Sequence, residues 1–470
     1  MKQIQIHNHN VLDTDKIGRL LIKMTVPMFF GMLVQTIYSV VDAIFIGHYV
    51  IAPVGSPTDS PGLAALSVVF PLQMLAMGIG MMVGVGGASL ISRLIGGNDK
   101  PGAERTLGNS ISVGILLSII FTVIVLPNVD FWARLIGASE NILPFARDYL
   151  IIIMAGTVFN VLMNALMIWI RSEGNARVSM IIMILGFGLN IILDAVFIIW
   201  LDMGMTGAAL ATVISQIIAS IYGLSYYITG SSYLKLRISN FMPDFKILKL
   251  VFAIGVAQFA QTLATVFAAT ILVRTASSYG GDLALASFGI IQRVLQFVIM
   301  PGMVIGQSMQ PILGFNYGAK RYTLALRTIT LAGIAATILS ILLFTVIYLI
   351  PEPIIKLFTS DKQLIDECVQ VMRLAFMAVP LLGFFNVGQL IFPSIGKALQ
   401  SFIVALARPA VFLIPAVIIM PHFWQLNGVW LSFPLSDTLT FILVVVLIIP
   451  QIKQFQKAAA AEKAASAVGH

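Results

Sequence analysis

Long apolar stretches, separated by short polar or basic segments, make up nearly the whole chain. Read from break to break they fall at residues 18–48, 63–96, 106–127, 143–170, 177–201, 206–230, 246–278, 283–315, 323–350, 364–395, 398–421 and 425–450. Each reaches the roughly 20 residues that an α-helix needs to cross a bilayer. The stretches are apolar nearly all round, so periodicity does not say which face is buried. The pattern predicts an all-α polytopic membrane protein with twelve transmembrane helices. Several stretches exceed a straight crossing, which predicts tilt, kinks or extensions beyond the lipid.

Composition agrees with that class. The 470 residues are 59% hydrophobic and 10% charged, with mean hydropathy +0.97, whereas a soluble domain carries about 25% charged residues. The charges then orient the chain. With a cytoplasmic N-terminus, 20 Lys and Arg fall on inner segments and inner span ends, among them Lys2, Lys16, Arg19, Lys100, Lys235, Arg237, Lys320, Lys457 and Lys463. Only five fall outside: Arg134, Arg147, Arg274, Lys356 and Lys362. The positive-inside rule therefore puts both termini in the cytoplasm, for a multi-pass protein of the cell membrane. The net charge of +8 expresses topology, and no nucleic-acid partner is expected. No cleavable signal peptide is expected either, because the first sixteen residues are polar and the first apolar run is too long for a signal core. The single cysteine, Cys368, excludes an internal disulfide and a cysteine metal cluster. The Ala-rich tail after Gln456 reads as a solvated helix or frayed end.

The chain is written twice. VQTIYSVVDAIF (34–45) is similar to AQTLATVFAATI (260–271), and ALSVVFPLQ (65–73) to LASFGIIQR (285–293). Gly97 in GGNDK corresponds to Gly318 in YGAKR, and IRSEGNA (170–176) to FPSIGKA (392–398). Four matches in order, at offsets of 220–226, argue for a duplicated six-span unit. An even number of spans brings both copies in from the same side, so a pseudo-two-fold along the membrane normal relates them. This predicts an N-terminal lobe over 1–230, a cytoplasmic linker over 231–246, a C-terminal lobe over 247–451 and a tail over 452–470.

Two aspartates interrupt the apolar pattern: Asp42 in LVQTIYSVVDAIFIG and Asp194 in LGFGLNIILDAVFII. A carboxylate at the centre of a span costs roughly 2.5–3.5 kcal/mol on insertion scales, and marks an ion or substrate path by default. Both acids lie in the first copy; their counterparts are Ala268 and Ala416. Asn190 and Asp194 are four apart, on one helix face. Asp194 lies nine residues before the centre of the turn at Met203 and Thr212 nine after it, so antiparallel helices place them at similar depth. Asp42, about six residues from the outer end of its span, belongs to the same outer half. Carboxylate, amide and hydroxyl oxygens suit a hard cation. A proton shared or cycled between the acids, a bound sodium ion, and a static polar cluster that locks helices all remain open.

Weaker candidates surround this set. Pro27 removes a backbone hydrogen bond fifteen residues before Asp42, as a moving or a fixed kink. Tyr38, one turn before Asp42, and Tyr149 are candidates to bond a carboxylate; packing is the alternative. Asn160, Asn164, Gln35 and Gln261 are candidates for cavity lining or a hydrogen-bond network, as are Gln258, Arg293 and Gln296. Asp437 is a membrane-level acid of the C-terminal lobe with no obvious counterpart. The many Met and Phe side chains suit an adaptable apolar cavity.

Over about residues 15–450 the chain resembles the multidrug and toxic compound extrusion (MATE) family. The resemblance rests on the 6+6 duplication, on IRSEGNAR after the fourth span and on RVLQFVIMPGMVIGQSMQPILGFNYGAKR in the eighth. The spacing of Pro27 and Asp42 and the NxxxD at Asn190–Asp194 resemble its DinF-like branch. The resemblance implies a cation-coupled antiporter, not an enzyme. H⁺ or Na⁺ would enter as amphipathic, often cationic drug-like molecules leave by alternating access. It implies a cation site at Asp42, Asn190, Asp194 and Thr212, and a bend of the first span at Pro27. The NorM-like branch carries its acids in the C-terminal lobe, and ATVFAATILV in the seventh span has none. No organic cofactor is implied, and a monomer among membrane lipids is expected. The competing readings are a lipid-linked glycan flippase of the same superfamily, which would show more cavity cations, and a membrane enzyme, for which no catalytic constellation is visible.

Overall fold

The computed structural model describes residues 11–50 and 61–468. Lys2, the closing Gly469 and His470, and the side chain of Lys463 lie outside that description. Among the described residues every regular element is helical, as lipid requires of a chain that must satisfy its backbone within each span. Seven spans are single runs: Ile17–Tyr49, Pro61–Gly96, Lys100–Ile136, Ala176–Trp200, Gly204–Ile228, Tyr322–Leu349 and Ala398–Ile419. The fourth and tenth are bent, Leu143–Ala155 with Thr157–Ser172 by 57° and Lys362–Ala375 with Val379–Ser394 by 55°. The run Phe245–Gly318 holds 74 residues. Unbroken, it would be about 110 Å long, far beyond an apolar core of about 30 Å. It breaks at Gly281, whose φ of 59° and ψ of −149° suit only glycine, into the seventh and eighth spans. The twelfth span lies in Pro421–Val468, after a break at Gln425.

The chain therefore forms twelve spans in two lobes, as its apolar pattern predicts. The third span starts six residues before its expected boundary at 106 and ends in an extra short helix, Val129–Ile136. The bends echo the duplication. The fourth span breaks at Gly156 and the tenth over Phe376–Ala378, so the breaks recur at the repeat spacing. Single-turn π segments recur likewise, at Ile184–Gly188 in the fifth span and Ala407–Leu413 in the eleventh. The first span runs as continuous helix through Pro27.

Contacts gather the chain into two compact units. One comprises residues up to Thr14 with Val26–Phe259, the other Asp15–Thr25 with Ala260 onward. In the first unit Gly156 makes a close approach possible: a Cβ there would meet Val213 Cγ2 at 2.5 Å, so the fourth and sixth spans touch at this point. In the second unit the Ala-rich tail is not a frayed end. It continues the twelfth-span helix to Val468, buries Phe455 against Tyr317 and Tyr322, and presents Glu462 Oε2 to the Thr323 N–H at 3.2 Å. That N–H is one of the free donors that every helix start leaves.

The segment after the sixth span is stitched down by side chains that satisfy its backbone. Ser232 Oγ and the Tyr233 N–H donate to Glu173 Oε2 at 2.6 and 3.1 Å, and the Lys235 N–H donates to Glu104 Oε1 at 3.2 Å. Asn109 Nδ2 donates to the Asn240 carbonyl at 3.0 Å, and Ser112 Oγ to that of Phe241 at 2.9 Å. The Asp244 N–H returns a bond of 2.6 Å to Asn109 Oδ1.

Both joints can be tested by substitution. Gly156→Ala is expected to cost about 1–3 kcal/mol by overpacking, read as a lower unfolding midpoint in detergent. Val213→Ala in the same chain should recover most of it, and no recovery would show that the joint lies elsewhere. Glu173, between the fourth and fifth spans, is 4% exposed, and burial pushes its carboxyl from 4.5 up to about 7 despite the hydrogen bonds it accepts. A raised carboxyl favours the protonated form in the fold. Its contribution is therefore complete below 4.5 and lost as pH rises through about 7. Glu173→Gln stays neutral, so its unfolding midpoint should drift less between about pH 5 and pH 8, by up to roughly 3 kcal/mol at the alkaline end. Equal drift in both proteins would assign the dependence to another group.

Candidate functional site

Four spans of the first unit bring the sequence-derived residues together. Asn190 and Asp194 sit in a short α-helical piece, Leu189–Asp194, bracketed by π segments at Ile184–Gly188 and Ala195–Trp200. Each π turn rotates the register of the helix beyond it, and such turns cluster at functional sites. Within the piece the four-residue spacing stacks the two side chains as expected. Asn190 donates to Asp194 Oδ2 at 2.7 Å, and its amide oxygen accepts from Thr212 Oγ1 at 3.1 Å and the Thr212 N–H at 2.9 Å. The opposite amide orientation would set a nitrogen against the Thr212 N–H, so the network fixes the assignment. Thr212 Oγ1 also reaches the Ala208 carbonyl at 3.0 Å.

Asp42 arrives from the first span, and its carboxylate is within hydrogen-bonding reach of that of Asp194. Asp194 is fully buried and Asp42 nearly so. One oxygen of each, Oδ1, is buried and receives no hydrogen bond from a donor. Two carboxylates in contact cannot both stay charged in such surroundings without a counter-charge.

Both tyrosine candidates belong here. Tyr38 and Tyr149 lie near Thr212 and the two carboxylates, and Tyr38 stacks on Phe187 of the fifth span with centroids 5.5 Å apart. Tyr149 is buried and accepts from Gln73 Nε2 at 3.2 Å. Gln73 is the member that sequence reading missed. It was legible as the only amide in the second span, two residues beyond Pro71. An apolar layer closes one end of the site: Ile46 lies one turn beyond Asp42, Ile198 one turn beyond Asp194 and Ala208 one turn before Thr212. All three pack in one cluster with Leu72, Leu150 and Met205.

Other candidates stand apart from the carboxylates. Asn164 Nδ2 donates back along its own helix to the Asn160 carbonyl at 2.9 Å, and Asn164 packs against Gly80. Gln35 is half-buried on the first span. In the second unit Gln261 Nε2 donates to Gln389 Oε1 at 3.5 Å, and Arg293 is exposed. Asp437 has a partner that the sequence did not single out: Arg408 Nε, 2.6 Å from Asp437 Oδ1. Arg408 sits in the π segment of the eleventh span.

Comparison with known proteins leads to the same place. The MatE family model matches residues 27–196 and 256–419, one segment in each copy of the repeat. The multidrug export protein MepA of Staphylococcus aureus (strain NCTC 8325 / PS 47) is 27% identical over 441 residues, covering 93% of this chain and 94% of its own. A crystal structure of MATE in complex with MaL6 superposes with a TM-score of 0.89 at 26% identity, covering 95% of this chain and 99% of its own. The outward-facing conformation of a multidrug resistance MATE family transporter of the MOP superfamily gives 0.88, also at 26% identity, covering 95% and 98%. With both copies of its repeat matched and its twelve-span fold shared, the chain belongs to the MATE family of membrane transporters and is not an enzyme.

Proposed function

We propose that this transporter is a cation-coupled antiporter that exports amphipathic, often cationic organic compounds by alternating access. Its relatives are named for multidrug export, and the breadth of that activity suits the many Met and Phe side chains of the chain. The observation that carries the coupling is the contact between the buried Asp42 and Asp194 carboxylates, each with an oxygen that lacks a donor. An inward-moving proton would neutralise the pair by sitting on one carboxylate. A sodium ion would take both carboxylates, and the Asn190 amide would turn over so that its oxygen joins the Thr212 hydroxyl as a neutral ligand. In this reading the protein is a monomer in the cell membrane with both termini cytoplasmic, as the distribution of Lys and Arg supports.

The driving force is sufficient. One inward cation at about 100 mV supplies roughly 2.3 kcal/mol, and a tenfold ion gradient adds about 1.4 kcal/mol. Together they sustain a gradient of some hundreds-fold for a neutral substrate; a monocation exchanged one for one cancels the electrical part, and the ion gradient alone sustains about tenfold.

In vesicles holding the purified protein, an imposed pH or Na⁺ gradient should drive accumulation of a cationic dye, and absence of any gradient-driven flux would remove the antiport reading. With a monocationic dye and a tenfold ion gradient, Asp42→Asn and Asp194→Asn should each bring the accumulation ratio from roughly tenfold toward one while the protein remains folded. Full activity in both variants would leave the pair as a structural lock between helices. Running the assay at fixed pH with and without Na⁺ separates the two ions. Flux unchanged by Na⁺ and abolished by collapse of the pH gradient assigns the proton, and the reverse assigns sodium.

A further inference from the structure

The segment joining the sixth and seventh spans reads from sequence as basic and polar, yet it holds three large apolar side chains in the open. Ile238 is 92% exposed, Met242 76% and Phe245 84%. They are not loose. The backbone beneath them is bonded to Asn109 and Ser112 of the third span, which turns the polar groups of the segment inward and these side chains outward. Gly108 allows the fit, because a Cβ there would strike the Asn240 carbonyl.

Beside them lies a cleft of about 550 Å³, lined by Arg105, Ser239, Met242, Asp244, Phe245 and Lys246 among others. Arg105 and Lys246 are exposed, and Arg237 and Lys249 stand exposed nearby. The acid in the cleft, Asp244, is occupied: its Oδ1 accepts from the Lys246 N–H at 2.9 Å. Lys246 opens the seventh span, and Arg105 lies five residues, or about 8 Å, into the third helix. The cleft is thus at the end of two spans, at the level of lipid headgroups. Apolar side chains at that level insert into the acyl boundary, while Arg and Lys meet lipid phosphates.

We propose that this cleft binds an anionic phospholipid of the surrounding bilayer. Arg105 and Lys246 hold its phosphate, and Ile238, Met242 and Phe245 lie along its acyl chains. Charge complementarity selects the occupant: two cations against one acid leave the lining net positive, and the anionic cytoplasmic leaflet supplies the phosphate. Only the choice of leaflet depends on the orientation proposed above.

The test is native mass spectrometry of the full-length protein with phosphatidylglycerol and phosphatidylcholine. The parent should retain phosphatidylglycerol roughly tenfold better. Arg105→Gln/Lys246→Gln should bring its retention down to the phosphatidylcholine level, and Ile238→Ser/Phe245→Ser should lower retention of both lipids. Lys356→Gln/Lys362→Gln, at the other end of the spans, should change nothing. Unaltered phosphatidylglycerol retention in the Arg105/Lys246 variant overturns the site. So does displacement of the lipid by millimolar inorganic phosphate, which would make the cleft a free-anion site. Asp42→Asn should keep full lipid retention, so that loss of transport and loss of lipid binding stay distinguishable.

Discussion

Two carboxylates that touch inside an apolar lobe repel one another with little water to screen them. At an effective dielectric of about 20 and a separation of about 4 Å, the repulsion between unit charges is roughly 4 kcal/mol, before either group's own desolvation. Asp42 and Asp194 stand in this relation, each with an oxygen that no donor reaches. One of the two must be neutralised, by a proton or by a counter-charge, for both to lie buried together. Under the coupling proposed above, the requirement ties the state of the first and fifth spans to the arrival and departure of a small cation.

The surrounding scaffold holds the neutral partners still, so that only the charge varies. Asn190 is clamped between Asp194 and both donors of Thr212. Tyr149 is held by Gln73 from a different span. The close approach at Gly156 keeps the fourth span against the sixth, and the layer of Ile46, Ile198 and Ala208 keeps water from one side. Under the coupling proposed above, a fixed neutral frame around a pair of variable charge suits a site that must read one ion and release it.

Much of this was legible in the sequence, for identifiable reasons. Spans are legible because lipid imposes a length and a composition that water does not. Asn190 and Asp194 are legible as a unit because four residues make one helical turn, and Thr212 because a short turn equates depths on either side of it. The bends at Gly156 and after Phe376 are not, since the residues on both sides are equally apolar and only packing chooses where the helix gives way. The π segments leave no compositional trace. The Arg408–Asp437 pair is hidden differently: neither residue has a charged neighbour in sequence, and only the packing of the eleventh span on the twelfth unites them. The exposed apolar face at Ile238, Met242 and Phe245 is masked by the Lys and Arg residues around it.

The duplication left a methyl group where each acid's counterpart would stand, at Ala268 and Ala416, both buried. Under the coupling proposed above, this sets the gearing of the machine. The accumulation ratio rises exponentially with the number of ions moved per cycle, so a second acid pair would square the attainable gradient. At any given membrane potential it would also keep the cycle running against a steeper substrate gradient. Under that coupling a single pair per chain is the low gear: a modest final gradient, with the smallest inward leak of ions for each molecule exported.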